Sequence, residues 1–235
     1  INTYNKFLRN APNIENYKTQ LETVTPTPSF VCLYMGLKIP PKELQSKNTN
    51  LWIYPSYNHD KNVKDFFRNK KSNLPVVYVS FPAAKDPLFN RKYPNLSTME
   101  AITVSAFEDF KNWDNKPWKK RGNEYEEKKE KISERILGQI YQYVPNAKGN
   151  IDYYELSTPL SVKSLANYQN GELYGINHTP DRFHQKWLRA KVDIKNLYLT
   201  GQDIITVGVT SAMFSGLLTA SAILKKNLMK ELIKK

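Results

Sequence analysis

Residues 204–224 carry no charged side chain. A run of that length is enough to cross a bilayer, so it limits the fold to two choices. Its composition argues for a protein interior. Thr206, Gly208, Thr210, Ser211, Ser215, Gly216, Thr219 and Ser221 are small or hydroxylated, and Asp203 stands directly before the run. Gly208, Ala212, Gly216 and Ala220 lie four apart and stack on one face of a helix. The expectation is a long helix over 209–232, buried in protein, with a small-residue face that admits a backbone, a sheet or a flat ligand. Tight helix packing without any ligand uses the same spacing.

The residues ahead of the run give it a chemical setting. The stretch 196–200 (NLYLT) reads as a strand that delivers the chain to Gly201. A glycine there permits a backbone turn closed to other residues. Gln202 and Asp203 offer polar groups to ligand hydroxyls. Gly208 then opens the helix, whose N-terminus presents unpaired N–H groups and partial positive charge. Such an end suits a phosphate or an electron-rich carbonyl. Many strand–glycine–helix turns bind nothing, so the spacing alone is only moderately specific.

Upstream, 29–37, 51–57, 75–81 and 98–106 read as strands rich in β-formers, with no regular helix between them. That order favours an α+β chain with a mixed or mainly antiparallel sheet over a doubly wound one. The clearest amphipathic helix is 124–144. Ile132, Ile136, Ile140 and Val144 recur every four residues, acids crowd its first turn, and Pro145 stops it. A strand over 151–156, a short helix from Thr158 to about Tyr168, and a turn-rich loop over 170–180 follow.

Hydrophobic content of 40% and charged content of 24% fit an ordered globular chain. Cys32 stands alone, so no internal disulfide framework exists. With no visible leader segment, the expected location is the cytoplasm or the cytoplasmic side of a membrane. The net charge of +13 attracts polyanions in general. Basic residues are dispersed and no zinc-finger or RNA-recognition motif accompanies them, so nucleic acid is not an expected partner. The lysines of 225–235, interleaved with Leu228, Met229, Leu232 and Ile233, suit an anionic membrane surface as well as a solvated helix end. His178 and His184 lack a third ligand at any zinc spacing, so no metal site is expected. No G-x-S-x-G elbow or Cys/His pair points to a hydrolase.

At 196–224 (NLYLTGQDIITVGVTSAMFSGLLTASAIL) the chain resembles the carboxy-terminal FAD-binding segment of the retinol saturase, carotenoid isomerase and phytoene desaturase family. Three further stretches are similar to the same family in the same order: 31–54, 81–103 (FPAAKDPLFNRKYPNLSTMEAIT) and 158–180. The resemblance implies a dinucleotide-binding domain split by a substrate domain. Residues 1–190 would be substrate domain and 191–235 a strand–helix segment that completes the FAD site. Gly201 would be the glycine at the strand end, with Gln202 or Asp203 on the ribityl chain. Gly208, Val209, Ser211 and Ala212 would approach the flavin's pyrimidine end, although Ser211 stands where saturase-like sequences tend to have glycine. Tyr174, Gly175 and His178 would lie near the flavin or the substrate. His178 is the candidate acid or base, and a loop histidine held by local hydrogen bonds is the plainer alternative.

With nine scattered glycines, no G-x-G-x-x-G occurs. The expectation is therefore the carboxy-terminal part of an FAD-dependent oxidoreductase, inactive alone, whose ADP-binding half lies elsewhere. The implied substrate is an apolar polyene such as a retinoid or carotenoid, with hydride transfer to or from the flavin and NAD(P) as an electron partner. The rival reading is a lipid-binding or escort module of the same wider architecture without redox chemistry.

Overall fold

The computed structural model describes residues 2–44 and 49–233. In chain order its helices and strands are α1 (Ile14–Glu22), β1 (Ser29–Leu37), β2 (Leu51–Ile53), α2 (His59–Arg68), β3 (Val77–Ser80), α3 (Pro82–Lys85), α4 (Pro87–Lys92), β4 (Ser97–Ser105), α5 (Asn123–Tyr143), β5 (Ile151–Ser157), α6 (Pro159–Ala166), α7 (Pro180–His184), α8 (Val209–Leu224) and α9 (Leu228–Ile233). Two compact units result: Ser29–Gly171, and Ile1–Pro28 together with Glu172–Lys235. The boundary expected near residue 190 falls inside the second unit.

The first unit is built on one five-stranded sheet in the order β2-β3-β4-β1-β5, antiparallel at every pairing. Strict alternation along β1 and β4 decides which face is covered. Val31, Leu33, Met35 and Leu37 on β1, and Met99 and Ala101 on β4, are buried together with Ile136, Leu137 and Ile140 of α5. Each of these side chains other than that of Ala101 contributes roughly 1.5–3 kcal/mol of burial energy, so this face holds the unit together. The four-residue apolar repeat read in 124–144 is the stripe that meets it. The antiparallel α+β expectation stands. The expectation of strands without helices between them does not: α2 separates β2 from β3, and α3 and α4 separate β3 from β4. Pro82 and Pro87 each open one of those short helices, a position where the missing N–H costs nothing.

The second unit has its own apolar cluster. Tyr4 stacks on Tyr17 at 4.8 Å, Trp187 meets Tyr4 edge-on at 5.9 Å, and Ile176, Leu188, Val192 and Ile204 fill in beside them. The Tyr17 hydroxyl accepts the Asp193 N–H at 2.9 Å. Three expectations change here. The stretch 196–200 forms no strand: Asn196 turns left-handed (φ 62°), and a single bridge, Lys191 to Tyr198, is all the pairing the stretch finds among the described residues. The helix expected over 209–232 ends at Leu224, where Lys225 turns left-handed (φ 54°), and α9 follows separately. The uncharged helix is not buried in this chain. Val209 is 88% and Met213 73% exposed, and only Ser215 is fully covered. Its apolar side chains are at best partly covered among the described residues. No helix of the described residues is long and apolar enough to cross a membrane. Of the tail lysines, Lys234 and Lys235 lie outside the described residues.

Candidate functional site

The turn between residue 199 and α8 is held by hydroxyl groups that the sequence offered as part of a small and hydroxylated run, without a role of their own. Ser215 Oγ accepts the Gly201 N–H at 2.7 Å and donates to the Ala212 carbonyl at 2.6 Å. Thr219 Oγ1 lies 2.6 Å from the Leu199 carbonyl and 2.9 Å from that of Ser215. Backbone groups that find no sheet partner are thereby satisfied by the helix behind them, as buried polar groups must be. Ser211, Ser215 and Thr219 recur at four-residue spacing, which was the available signal for this seam.

Gly201 lies at φ 100°, ψ −178° and Gly208 at φ 102°, ψ 165°, a region essentially reserved for glycine. A Cβ at either position would meet nothing within 4 Å. Gly208 caps α8 with no side-chain cap hydrogen bond, and the first helical bond is Ala212 N–H to the Gly208 carbonyl at 3.0 Å. The amides of Val209, Thr210 and Ser211 are therefore the unpaired donors of the helix end. Two glycine turns open on space, joined to an uncapped helix N-terminus, can receive a flat ligand and stabilise negative charge on it.

A buried arginine fixes the other side of the turn. Arg182 is 2% exposed. Its Nη2 donates to the carbonyls of Gln202 (2.8 Å) and Asp203 (2.7 Å), and its Nη1 to that of Ile176 (3.3 Å). Burial lowers its pKa from the usual guanidinium range, and the neighbouring Asp203 carboxylate opposes that. Asp203 Oδ1 in turn accepts the Ile176 N–H at 3.1 Å, so this carboxylate oxygen serves the 174–178 loop. Gly175 lies against it: a Cβ there would stand 2.2 Å from Asp203 Oδ1. The loop is also paired to 25–27, through Thr27 N–H to the Gly175 carbonyl (2.8 Å) and Tyr174 N–H to Thr27 Oγ1 (3.1 Å). The Tyr174 side chain is left exposed.

His178 Nε2 accepts the Val207 N–H at 3.1 Å, so the neutral ring carries its proton on Nδ1. Burial, then repulsion from Arg182, lowers its pKa below the usual 6.5. The fold thus prefers the neutral ring. Its contribution is present above the unfolded value and is lost as the pH falls through 6.5 toward the lower folded value. Acidification from neutral pH is expected to reduce the hydrogen-exchange protection of the Val207 amide, and His178→Phe is expected to abolish that pH response. Protection independent of pH in the unsubstituted chain would refute the assignment.

All ten expected site residues, from Tyr174 to Ala212, therefore lie in the second unit. Sequence reasoning missed Arg182, Ser215 and Thr219. Among the described residues, no group of three His, Cys, Asp or Glu side chains is placed to hold a metal.

The first unit carries a different feature. The sheet face opposite α5 is only partly covered. One row runs straight across it: Trp52, Tyr78, Ile102, Cys32 and Ser157, each paired with the next. Trp52 and Tyr78 lie with ring centroids 4.7 Å apart, and Trp52 is 61% exposed. In the adjoining row Ser80, Glu100, Tyr34 and Glu155 follow one another. Burial pushes the Cys32 thiol up to about 11, with the Glu100 charge adding to it, so the thiol stays protonated at neutral pH. An aromatic and aliphatic strip with a few polar groups beside it is the makeup of an apolar ligand surface.

No family model matches the chain. Among curated proteins it is 34% identical over 239 residues to all-trans-retinol 13,14-reductase from Rattus norvegicus, covering 98% of this chain and 39% of that protein. The Homo sapiens protein of the same name is 32% identical over the same shares. A Danio rerio protein named inactive all-trans-retinol 13,14-reductase is 28% identical over 92% of this chain and 36% of its own length. The chain thus spans about 39% of the length of the first of these relatives.

Proposed function

We propose, on the premise that this chain belongs to the retinol saturase-like family over the span it shares with the all-trans-retinol 13,14-reductases, that it is part of an FAD-dependent oxidoreductase acting on a retinoid. The observation that carries the flavin half of this reading is the pair of open glycine turns at Gly201 and Gly208 leading into an uncapped helix N-terminus. These residues fit the group. The amides of Val209, Thr210 and Ser211 would face the electron-rich edge of the ring system, and the Gln202 side chain would reach ligand hydroxyls. Asp203 would hold the turn through Ile176. Bound flavin would supply hydride transfer. The chain's own part is to orient the ring, through the seam of Ser215 and Thr219, and to offset charge that builds on it.

The substrate half rests on the open sheet face. A retinoid is a long apolar polyene with one hydroxyl. The Trp52–Tyr78–Ile102–Cys32 row offers it a flat apolar bed, and Glu100 in the next row offers a hydrogen-bonding group. NAD(P) as electron partner and an anionic membrane surface at the basic tail belong to the same proposal, since a lipid-soluble substrate is delivered from a membrane.

Two measurements test the reading. The protein expressed from its complete coding sequence is expected to be yellow, to bleach with reductant and to consume all-trans-retinol, and Gly208→Val is expected to lose the colour. A side chain at φ 102° is strained and projects into the space the ring would occupy. A colourless protein without retinol turnover would overturn the flavin reading. The relative named inactive gives weight to one alternative, a lipid-binding or escort module of the same architecture. Copurified lipid on a colourless protein is its signature.

A further inference from the structure

Arg121 is a second buried guanidinium in the chain, and it is far less well served than Arg182. It is 4% exposed. Nη2 donates to the Leu160 carbonyl (3.3 Å) and to Ser164 Oγ (2.9 Å), and the group stacks 5.2 Å from the Tyr125 ring centroid. Nε is buried with no hydrogen-bond partner. Among the described residues no carboxylate pairs with it. A buried charge ordinarily has a counter-ion, because desolvation is not recovered otherwise.

Arg121 lines a cleft of about 310 Å³. The other walls divide by chemistry. Trp118, Tyr34 and Leu165 are apolar and exposed, while Lys119 and Ser161 are polar. Lys129 also borders the cleft, but its ammonium is already held by Glu126 (3.0 Å) and Glu155 (2.5 Å). These two acids and one lysine sum to −1. Arg121 and Lys119 add +2, so the cleft keeps a net positive charge concentrated on the Arg121 side. Lys119 sits in a left-handed backbone conformation (φ 60°) that places its ammonium 4.8 Å from the Trp118 ring.

We infer that this cleft is a binding site for an amphipathic oxyanion, a carboxylate or phosphate on an apolar stem. The oxyanion pairs with Arg121 and Lys119, and the stem lies on Trp118, Tyr34 and Leu165. Nη2 is taken up by Leu160 and Ser164 and Nε is enclosed, so Nη1 is the guanidinium donor left for the oxyanion, and a charge-assisted bond from it is stronger than a neutral one. The inference does not rest on the retinoid reading, since retinol is uncharged. It adds a ligand class that the open sheet face alone does not select.

The test is calorimetric titration of the full chain with four probes: decanoate, decyl phosphate, decanol and inorganic phosphate. Both amphipathic anions are expected to bind about tenfold or more tightly than decanol, the factor that a charge-assisted hydrogen bond supplies. Lys119→Ala and Trp118→Ala, both at the surface, are expected to weaken them without altering the fold. Arg121→Lys retains a charge but cannot both hold Leu160 and Ser164 and present a donor to the ligand as the guanidinium does, and is expected to weaken decyl phosphate further. Preference for decyl phosphate over decanoate identifies a phosphate ligand, and the reverse a carboxylate; either supports the site. Decanol binding as tightly as the anions overturns it. So does inorganic phosphate matching decyl phosphate, or Lys119→Ala and Trp118→Ala leaving every affinity unchanged.

Discussion

Arg182→Met is expected to cost about 3–5 kcal/mol of unfolding free energy, among the largest effects of any single substitution in the second unit. The side chain is almost wholly buried, and its three hydrogen bonds all go to backbone carbonyls, those of Ile176, Gln202 and Asp203. Methionine fills similar space without a donor, so three carbonyls lose their partner, the one at Ile176 in buried surroundings and those at Gln202 and Asp203 in partly buried ones. Asp203 loses the cation that offsets its charge, and with it goes part of the reason its carboxylate sits on the Ile176 N–H. Arg182→Lys is expected to recover only part of the loss, since a compact ammonium cannot reach both the 202–203 and the 176 carbonyls as the fork does. Urea denaturation gives the number. A fall below about 1 kcal/mol for the methionine variant would mean that the turn at Gly201 is held by the Ser215 and Thr219 seam alone.

Arg182 also shows where sequence reading stops. Its neighbours, Asp181 and Phe183, give no hint that the residue between them is buried, because a five-residue helix is too short to establish a periodicity. Two of the three carbonyls it holds lie about twenty residues further on, and a contact at that separation leaves no local pattern. By contrast β1, β4 and α5 were legible almost to the residue. Each is long enough to repeat its own period several times, at two residues for the strands and nearly four for the helix. The stretch 196–200 had the composition of a strand and became none, since strand character is a property of a pair and only 190–191 lies alongside. The exposure of α8 was hidden for the same reason. An uncharged run says that a helix wants cover and is silent on what supplies it. The glycines at 201 and 208 were legible as turns, whereas the openness of the space beside them was not. The sheet's free face was visible only as a count of aromatics until pairing set Trp52, Tyr78, Ile102 and Cys32 in one row.

Gly171→Ala is expected to destabilise the first unit by about 3 kcal/mol or more, from two separable sources. The residue lies at φ 61°, where a side chain costs roughly 1–2 kcal/mol. In addition, a Cβ there would stand 2.1 Å from the carbonyl oxygen of Pro159 and 2.6 Å from its carbonyl carbon and Cα. Those are backbone atoms, so no rotamer change relieves the overlap and the chain itself must shift, at a further cost of about 1–3 kcal/mol. The chain has little freedom to do so. Pro159 opens α6 beside the buried Thr158, whose hydroxyl is bound to Tyr125 at 2.6 Å, and the next carbonyl, Leu160, accepts from Arg121. On the other side, Asn170 is tied to the start of β1 through Ser29 Oγ at 2.7 Å. Gly149→Ala is the control. It has a comparable φ of 82° but nothing within 4 Å of the added carbon, so it is expected to lose only the conformational part. The difference between the two variants in thermal or urea unfolding measures the steric part alone. Equal losses would show that Pro159 can move, and Arg121 with it, and that the oxyanion cleft is less rigidly framed than the hydrogen bonds around α6 imply.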